Sequence, residues 1–280
     1  MRWFRLRSFG REGQTGNEVC VVQGDALATD ARLLFAQARG VPATVFQQAP
    51  RDPEDAFDLD FFYPHARSKL CVTATLAAGF VHFAGHPGTR SLTVGLATLP
   101  DHLTLLKRDT GIFLRVQAHT PPAIRLDREA ILPMLGLGAS SLVGDLSVSS
   151  VGSPKLLVEV QDRATLWALE PDLAAVFRWG SEHGISGCYA YCRLQPGTFA
   201  GRNFNHLDPA LEDAATGTAA GALALHLKQD LVIEQGDPLG KPCSVYAAYQ
   251  GETVEIGGRV VLLREETLAD REVQSPGRVP

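Results

Sequence analysis

Two stretches of small and apolar residues stand out from a chain whose other segments mostly follow strand patterns. Residues 211–227 pass from an acidic pair through small hydroxyl side chains into alanines and leucines, which predicts a buried helix beginning near Thr216. Residues 68–81 follow the same order around Cys71 and predict a second buried helix. Apolar patterning elsewhere predicts strands at 3–9, 19–22, 44–46, 57–63, 92–99, 112–117, 147–150, 155–160, 187–194, 245–249 and 254–263, and helices at 26–40, from 127, and within 164–179.

The two helical stretches align as an internal repeat. Placing Cys71 opposite Ala214 brings Thr73 opposite Thr216. A repeat of about half the chain implies two similar domains. We therefore predict an α+β fold with domains at 1–122 and 123–265, each a mixed β-sheet or barrel wrapped around a central buried helix. The last strand is a candidate to pack back on the first domain, and residues 266–280 are predicted to form a polar tail.

The start of the later helix is suited to binding an anion. Thr216, Gly217 and Thr218 are small enough for a ligand to lie against the unpaired backbone N–H groups of the first turn. Asp213 stands just before this turn, where its carboxylate either caps the helix or faces a bound ligand. Both interpretations stay open on the residues alone.

Charge and cysteine content narrow the class of protein. A net charge of −5 and a pI near 5.9 provide no basic surface for nucleic acid or anionic lipid. The cysteines are odd in number and lack CxxC spacing, so neither disulfides nor a zinc site is predicted. Pro87 predicts that His82 and His86 lie in a loop and are not paired metal ligands on one helix. No signal peptide and no apolar run of about 18 residues is found. We expect a soluble, cytoplasmic protein with no metal, nucleic-acid or membrane partner.

Four segments spread over nearly the whole chain carry a further signal. They are Gly16-Asn17; Phe62-Tyr63-Pro64 leading to Cys71; Val151-Gly152-Ser153-Pro154-Lys155-Leu156-Leu157-Val158; and Arg202-Asn203-Phe204 leading to Glu212-Asp213-Ala214-Ala215-Thr216-Gly217-Thr218-Ala219. In this order they resemble the PhzF-like (phenazine biosynthesis) family, which shares the diaminopimelate-epimerase fold. The last segment is the most specific, because a Glu-Asp-x-Ala-Thr-Gly-Ser/Thr-Ala run opens a late helix.

The resemblance implies a cofactor-free isomerase with its active site in the cleft between two domains. Members of the family move a proton on small carboxylated substrates, so a small carboxylate is the expected partner. Dimers are common in the family, which makes a homodimer a candidate assembly. Two helix N-termini aimed at one cleft would hold a substrate carboxylate and stabilise developing negative charge. By position, the resemblance implies a catalytic role for Asp213 and substrate binding by Asn17, Thr73, Thr216, Gly217 and Thr218, the last matching the family's site serine.

The chain departs from this family at the principal general base. The family's glutamate stands in an Asn-Leu-Ser-Glu-x-x-Phe segment, whereas residues 40–46 carry Ala43 in its place. A Gly-His pair before the first buried helix is likewise replaced, by Val72 and Thr73. Loss of a general base slows carbon-proton abstraction by roughly 10²–10⁴-fold. Glu54 and Asp58 are the nearby carboxylates, but charged residues at such loop and strand edges are usually solvated.

Cys71 is the visible substitute for the missing base. In the epimerases and proline racemases of the wider fold group this position holds a catalytic thiol, and a helix N-terminus lowers the pKa of a thiol towards working pH. The racemases place a second cysteine opposite, where this chain has Ala214. A small buried hydrophobic role for Cys71 is the structural alternative.

Three functions follow from these observations. The first is a PhzF-like isomerase of altered chemistry, with Asp213 as acid/base and Cys71 as a candidate second group. The second is a cysteine-dependent amino-acid epimerase or racemase that uses Cys71. The third is a catalytically weakened protein that keeps the anion pocket at Thr216 to Thr218 and has lost turnover.

Overall fold

The computed structural model describes residues 1–11, 15–24, 27–204 and 212–267. Residue 26 of the first predicted helix, Leu211 and the predicted tail after residue 267 lie outside the described residues. The chain divides into two compact units. One is Met1–Arg115 together with the segment that starts at Gly257, and the other is Val116–Ile256.

The first unit is a mixed sheet in which the last of the described strands pairs with the first. Its strands are β1 (Arg2–Ser8), β2 (Asn17–Gln23), β3 (Ala43–Gln48), β4 (Asp58–Phe62), β5 (Arg67–Ser68), β6 (Ser91–Leu96), β7 (Leu99–Arg108), most of β8 (Gly111–Gln117) and β17 (Val260–Thr267); its helices are α1 (Thr29–Arg39) and α2 (Val72–Gly85). β1 is antiparallel to both β2 and β17, whereas β2 runs parallel to β3 and β4 runs parallel to β6. Parallel and antiparallel pairs therefore occur in one unit, as predicted.

Helix α2 is the central helix of the first unit. It packs against β1, β2 and β3, and Ala74, Leu76, Ala77 and Ala78 are completely buried. Alanine is a strong helix former, and its short side chain lets strands approach the helix closely. The apolar run around Cys71 therefore forms the buried helix that its composition predicts.

The C-terminal end of α2 differs from the prediction. His82 lies inside the helix, and its ring stacks on that of His86 with 4.2 Å between the ring centroids. The prediction of a loop at His82 was wrong, because Pro87 restricts only itself and the residue before it. The helix therefore continues to Gly85 and ends at the cap residue His86.

The second unit combines a mixed sheet with helices on both of its faces. Its strands are β9 (Ser147–Ser149), β10 (Lys155–Glu159), β11 (Cys188–Gln195), β12 (Thr198–Phe204), β13 (Glu212–Asp213), β14 (Leu231–Gln235), β15 (Cys243–Gln250) and most of β16 (Thr253–Gly258); its helices are α3 (Arg128–Met134), α4 (Arg163–Trp167), α5 (Leu173–His183) and α6 (Gly217–Leu227). β10 runs parallel to β11, β11 is antiparallel to β12, and β12 is antiparallel to β13 but parallel to β14.

Alternate residues of β10, β11 and β12 define two faces of this sheet. Leu156, Cys188 and Phe204 belong to an apolar core shared with residues of α3, α4 and α5, such as Ile131 and Val176. Residues between them along each strand point to the opposite face. Helix α6, buried from Gly217 to Ala224 except at Thr218, packs against β9, β10 and β15. The predicted α+β fold is confirmed.

Candidate active site

The two acidic residues before α6 point to opposite faces of the sheet. In β13, Glu212 lies opposite Phe204 of β12, and Asp213 lies opposite Asn203. The Glu212 carboxylate accepts hydrogen bonds from Arg202 Nε at 2.9 Å and Nη2 at 2.7 Å. Both partners of this ion pair are largely buried. Glu212 therefore anchors the strand, and Asp213 lies on the face where α6 begins.

The Asp213 carboxylate is held at the N-terminus of α6. Thr216 is the N-cap residue, and its hydroxyl donates to Asp213 Oδ2 at 2.6 Å, while the Ala215 N–H lies 3.4 Å from Oδ1. The Thr216 hydroxyl thus orients the acid instead of capping its own helix. Within the described part of the chain, the N–H groups of Gly217 and Thr218 donate to no protein acceptor, as first-turn groups commonly do not. Asp213, Thr216, Gly217 and Thr218 are therefore brought together as predicted site residues.

Gln235, at the end of β14, holds this arrangement together. Its Nε2 donates to the Asp213 carbonyl at 2.7 Å and lies 3.2 Å from Thr216 Oγ1. Its Oε1 accepts from the Tyr189 hydroxyl at 3.2 Å and from the Thr216 N–H at 3.4 Å. Neither Gln235 nor its strand was predicted, although the alternation in residues 231–235 is a signal for a half-buried strand.

Lys155 adds a buried positive charge on the same face. Only 3% of Lys155 is exposed, and its Nζ donates to the Ser186 carbonyl at 2.7 Å. Burial lowers the pKa of Lys155 to about 8, and the negative charge of Asp213 opposes that shift. Lys155 lies in the family segment 151–158. A charged residue at the start of an apolar strand was the sequence signal that could have identified it as a site residue.

Other predicted site residues lie in the first unit. Asn17 begins β2 and pairs with Ser8 of β1, whose hydroxyl donates to the Thr73 carbonyl at 3.1 Å. Thr73 lies in the first turn of α2, and Cys71 is its N-cap residue. The structure therefore brings Asn17 and Thr73 together through Ser8. Cys71 is half-buried, whereas the remaining cysteines are buried: Cys20, Cys188, Cys192 and Cys243.

No described carboxylate near Ala43 in sequence takes the place of the family's glutamate. Ala43 is the first residue of β3 and is buried. Asp58 pairs with Gln48 at the opposite end of β3, about 17 Å away along the strand. The Asp58 carboxylate binds the Arg51 guanidinium at 2.6 Å, and Glu54 is exposed. Both carboxylates are thus occupied elsewhere or solvated.

The helix caps give a different repeat register from the sequence alignment. Cys71 caps α2 with φ −140° and ψ 106°, and Thr216 caps α6 with φ −121° and ψ 95°. The structural equivalent of Cys71 by cap position is therefore Thr216, two residues beyond Ala214. Neither residue supplies a second thiol, so the objection to a two-cysteine mechanism holds in both registers.

Among the residues that the structure describes, no three His, Cys, Asp or Glu side chains are placed to hold a metal ion. None of the described helices is both long enough and apolar enough to cross a membrane.

Comparison with known proteins identifies the family. The PhzC-PhzF family, described as phenazine biosynthesis-like protein, matches residues 6–266. The chain belongs to this family. A curated relative, the trans-2,3-dihydro-3-hydroxyanthranilate isomerase of Pseudomonas aeruginosa, is 28% identical over 286 residues that cover 92% of this chain and 95% of the relative.

Solved structures agree on the fold. A Bacillus anthracis phenazine biosynthesis protein of the PhzF family matches with a TM-score of 0.79 at 19% identity, over 96% of this chain and 99% of that protein. A probable proline racemase from Agrobacterium radiobacter matches with a TM-score of 0.61 at 11% identity, over 97% of this chain and 95% of that protein. At these identities the likeness shows the fold alone. The predicted family, fold and isomerase class are confirmed, and this PhzF family member is an enzyme.

Proposed function

We propose that this PhzF family member is a cofactor-independent isomerase that moves a proton on a small carboxylated metabolite, with Asp213 as the group that carries the proton. The observation that supports it most is the fixed Asp213 carboxylate beside the first turn of α6, where the Thr216 hydroxyl orients it at 2.6 Å. Gly217 and Thr218 offer backbone donors next to that carboxylate. Asn17 and Thr73 remain predicted substrate-binding residues of the first unit.

The chemistry requires a base beside a site that stabilises negative charge. The Asp213 carboxylate takes a proton from one substrate carbon, and the electron pair left behind delocalises into the substrate's conjugated system. The positive end of the α6 dipole and the free N–H groups stabilise that charge. The protonated Asp213 exchanges this proton with solvent water and then protonates a different carbon, so that neither atoms nor electrons are gained or lost.

Ala43 sets the expected efficiency of this reaction. Without the family's glutamate, the proposed reaction depends on one carboxylate for both removal and return of the proton. We therefore expect turnover roughly 10²–10⁴-fold below that of relatives that hold the glutamate. Ala43→Glu is expected to increase the rate, and an inactive parent activated by this change would contradict the altered-chemistry proposal.

Cys71 supports a second candidate, a cysteine-dependent epimerase. It is the half-buried cysteine at the cap of α2, a position that favours a thiolate. Cys71→Ala should abolish such an activity, whereas an Asp213-dependent isomerase keeps part of its rate.

Hydrogen–deuterium exchange tests the proposal directly. The protein is incubated in heavy water with trans-2,3-dihydro-3-hydroxyanthranilate, diaminopimelate or free amino acids, and deuterium uptake into carbon is followed by mass spectrometry. Asp213→Asn should reduce uptake by at least 10²-fold. The matched control is Asp145→Asn, which removes an exposed carboxylate paired with Arg128 on the same unit, and it should retain full uptake.

The outcomes separate the three functions. Uptake that needs Asp213 and survives Cys71→Ala supports the isomerase. Uptake that needs Cys71 and survives Asp213→Asn overturns it in favour of the epimerase. Binding of one compound without uptake into any of them indicates the anion-binding homologue.

A further inference from the structure

A glycine in the second unit makes room for two buried polar side chains. Gly187 precedes β11, and a Cβ atom placed there would lie 3.2 Å from Lys155 Nζ and 3.5 Å from Asn203 Oδ1. The Lys155 ammonium and the Asn203 amide therefore flank the same backbone position. Gly187 also has a φ of +142°, which other residues rarely adopt. A Cβ there would crowd Lys155 Nζ and the Phe204 carbonyl, 3.0 Å away, and would touch the Asn203 amide.

Asn203 has an amide with unused hydrogen-bonding capacity. The residue is completely buried, and neither Nδ2 nor Oδ1 has a hydrogen-bond partner among the described residues. Buried polar groups without partners are rare in folded proteins and need an explanation. Lys155 also has unused donors, because an ammonium has three N–H groups and its one hydrogen bond within the described part of the chain is to the Ser186 carbonyl.

The strand register places Asn203 beside Asp213. Asn203 is paired with Tyr189 of β11 on one side and with Asp213 of β13 on the other. Directly opposed residues of antiparallel strands share one face, with Cβ atoms about 5 Å apart. The Asn203 side chain therefore has the Asp213 carboxylate on one flank and the Lys155 ammonium on the other.

We propose that Lys155 is a positioning residue that acts across Asn203 to keep Asp213 ionised before substrate binds. The inference rests on the proposed function, in which Asp213 takes the first proton. The ammonium favours the carboxylate form of Asp213 by charge. The Asn203 amide can donate to that carboxylate and can accept from the carboxylic acid formed after proton transfer, so it suits both states.

Two other titratable groups beside this cluster are neutral at working pH. Burial raises the pKa of Cys188 to about 12, so its thiol is neutral at working pH. Burial together with the Asp213 charge also raises the pKa of Tyr189, which stays a neutral phenol. Lys155 is thus the positive charge that acts on the carboxylate within this group of residues.

The test measures the carboxyl titration itself. Aspartate ¹³Cγ resonances of the full chain are followed against pH, and Asp213 is assigned by its loss in Asp213→Asn. In Lys155→Met the Asp213 pKa should rise by at least one unit, a tenfold gain in proton affinity. The acid limb of deuterium uptake should move to higher pH by the same amount. Asn203→Leu should likewise raise the Asp213 pKa and move the acid limb of deuterium uptake to higher pH. Lys241→Met, which removes an exposed lysine of the same unit, should change neither the Asp213 pKa nor the acid limb.

A reciprocal measurement keeps the inference testable if Lys155→Met fails to fold. Coupling is mutual, so Asp213→Asn should lower the Lys155 pKa by the same number of units, read from lysine ¹³Cε resonances. Shifts below 0.3 units in these titrations would overturn the inference, even where Asp213→Asn abolishes uptake. Full uptake in Asp213→Asn would instead overturn the proposed function, and the titrations would still decide whether the two groups are coupled.

Discussion

Replacing Gln235 by leucine tests whether one buried amide holds the candidate site together. Leucine has a similar volume but cannot accept from the Tyr189 hydroxyl and the Thr216 N–H, or donate to the Asp213 carbonyl. Each buried group left without a partner costs about 1–3 kcal/mol. Better burial of an apolar side chain offsets part of this loss. We expect Gln235→Leu to lower the free energy of unfolding by about 3 kcal/mol.

Urea unfolding followed by circular dichroism at pH 7 measures this change. Gln195→Leu is the matched control, because Gln195 is exposed on the same unit and makes one long contact, 3.4 Å to Thr198 Oγ1. The control should stay within about 0.5 kcal/mol of the parent. We also expect slower deuterium uptake in Gln235→Leu, since Asp213 loses its backbone anchor. A Gln235→Leu variant as stable as the control would refute the assigned role.

Three further predictions follow from burial and close contact. Lys155 loses its proton near pH 8 in the folded protein and near pH 10.5 in the unfolded chain, so the free energy of unfolding rises with pH between these values. Urea unfolding should show the parent gaining about 3 kcal/mol relative to Lys155→Met from pH 7 to pH 10.5. A difference between the two proteins that does not change with pH would contradict the buried charge. A Cβ at Gly201 would lie 2.1 Å from the Tyr189 hydroxyl, so Gly201→Ala should lower the melting temperature by several degrees in a thermal scan; an unchanged midpoint would show that the ring moves freely. A thiol reagent at pH 8 should modify Cys71 quickly in the native protein. It should modify Cys188, whose pKa burial raises to about 12, only after unfolding. Peptide mapping that finds Cys188 modified first would contradict this prediction.

The buried helices could be predicted because their information is local. Small helix formers in uninterrupted runs specify α2 and α6, and the change from Ala215 to Thr216 marks a helix start that the structure confirms. The acidic pair before α6 was recognised as important, but the different roles of Glu212 and Asp213 were not predicted. Pairing with β12 decides which carboxylate faces Arg202 and which faces the helix. β12 ends eight residues before β13 begins.

Features set by distant pairing were missed. The predicted strand 92–99 is two strands, because the chain turns at Ala97 and Thr98 without the positive φ that would call for glycine. Gln235 acts on Asp213 only because β14 lies beside β12. The closeness of Lys155 and Asn203 likewise arises from three adjacent strands and an empty side-chain position at Gly187. Local sequence patterns carry none of this information.

The pairing of β17 with β1 determines the order in which the molecule can be completed during synthesis. Among the described strands β1 is made before β17, so the ladder on one side of β1 stays open until Val260–Thr267 has left the ribosome. An open strand edge is a template for pairing with other chains. The second unit, Val116–Ile256, is continuous in sequence and available earlier. A nascent chain stalled before Val260 would therefore have a complete second unit and a first unit that still lacks β17 and is prone to aggregate.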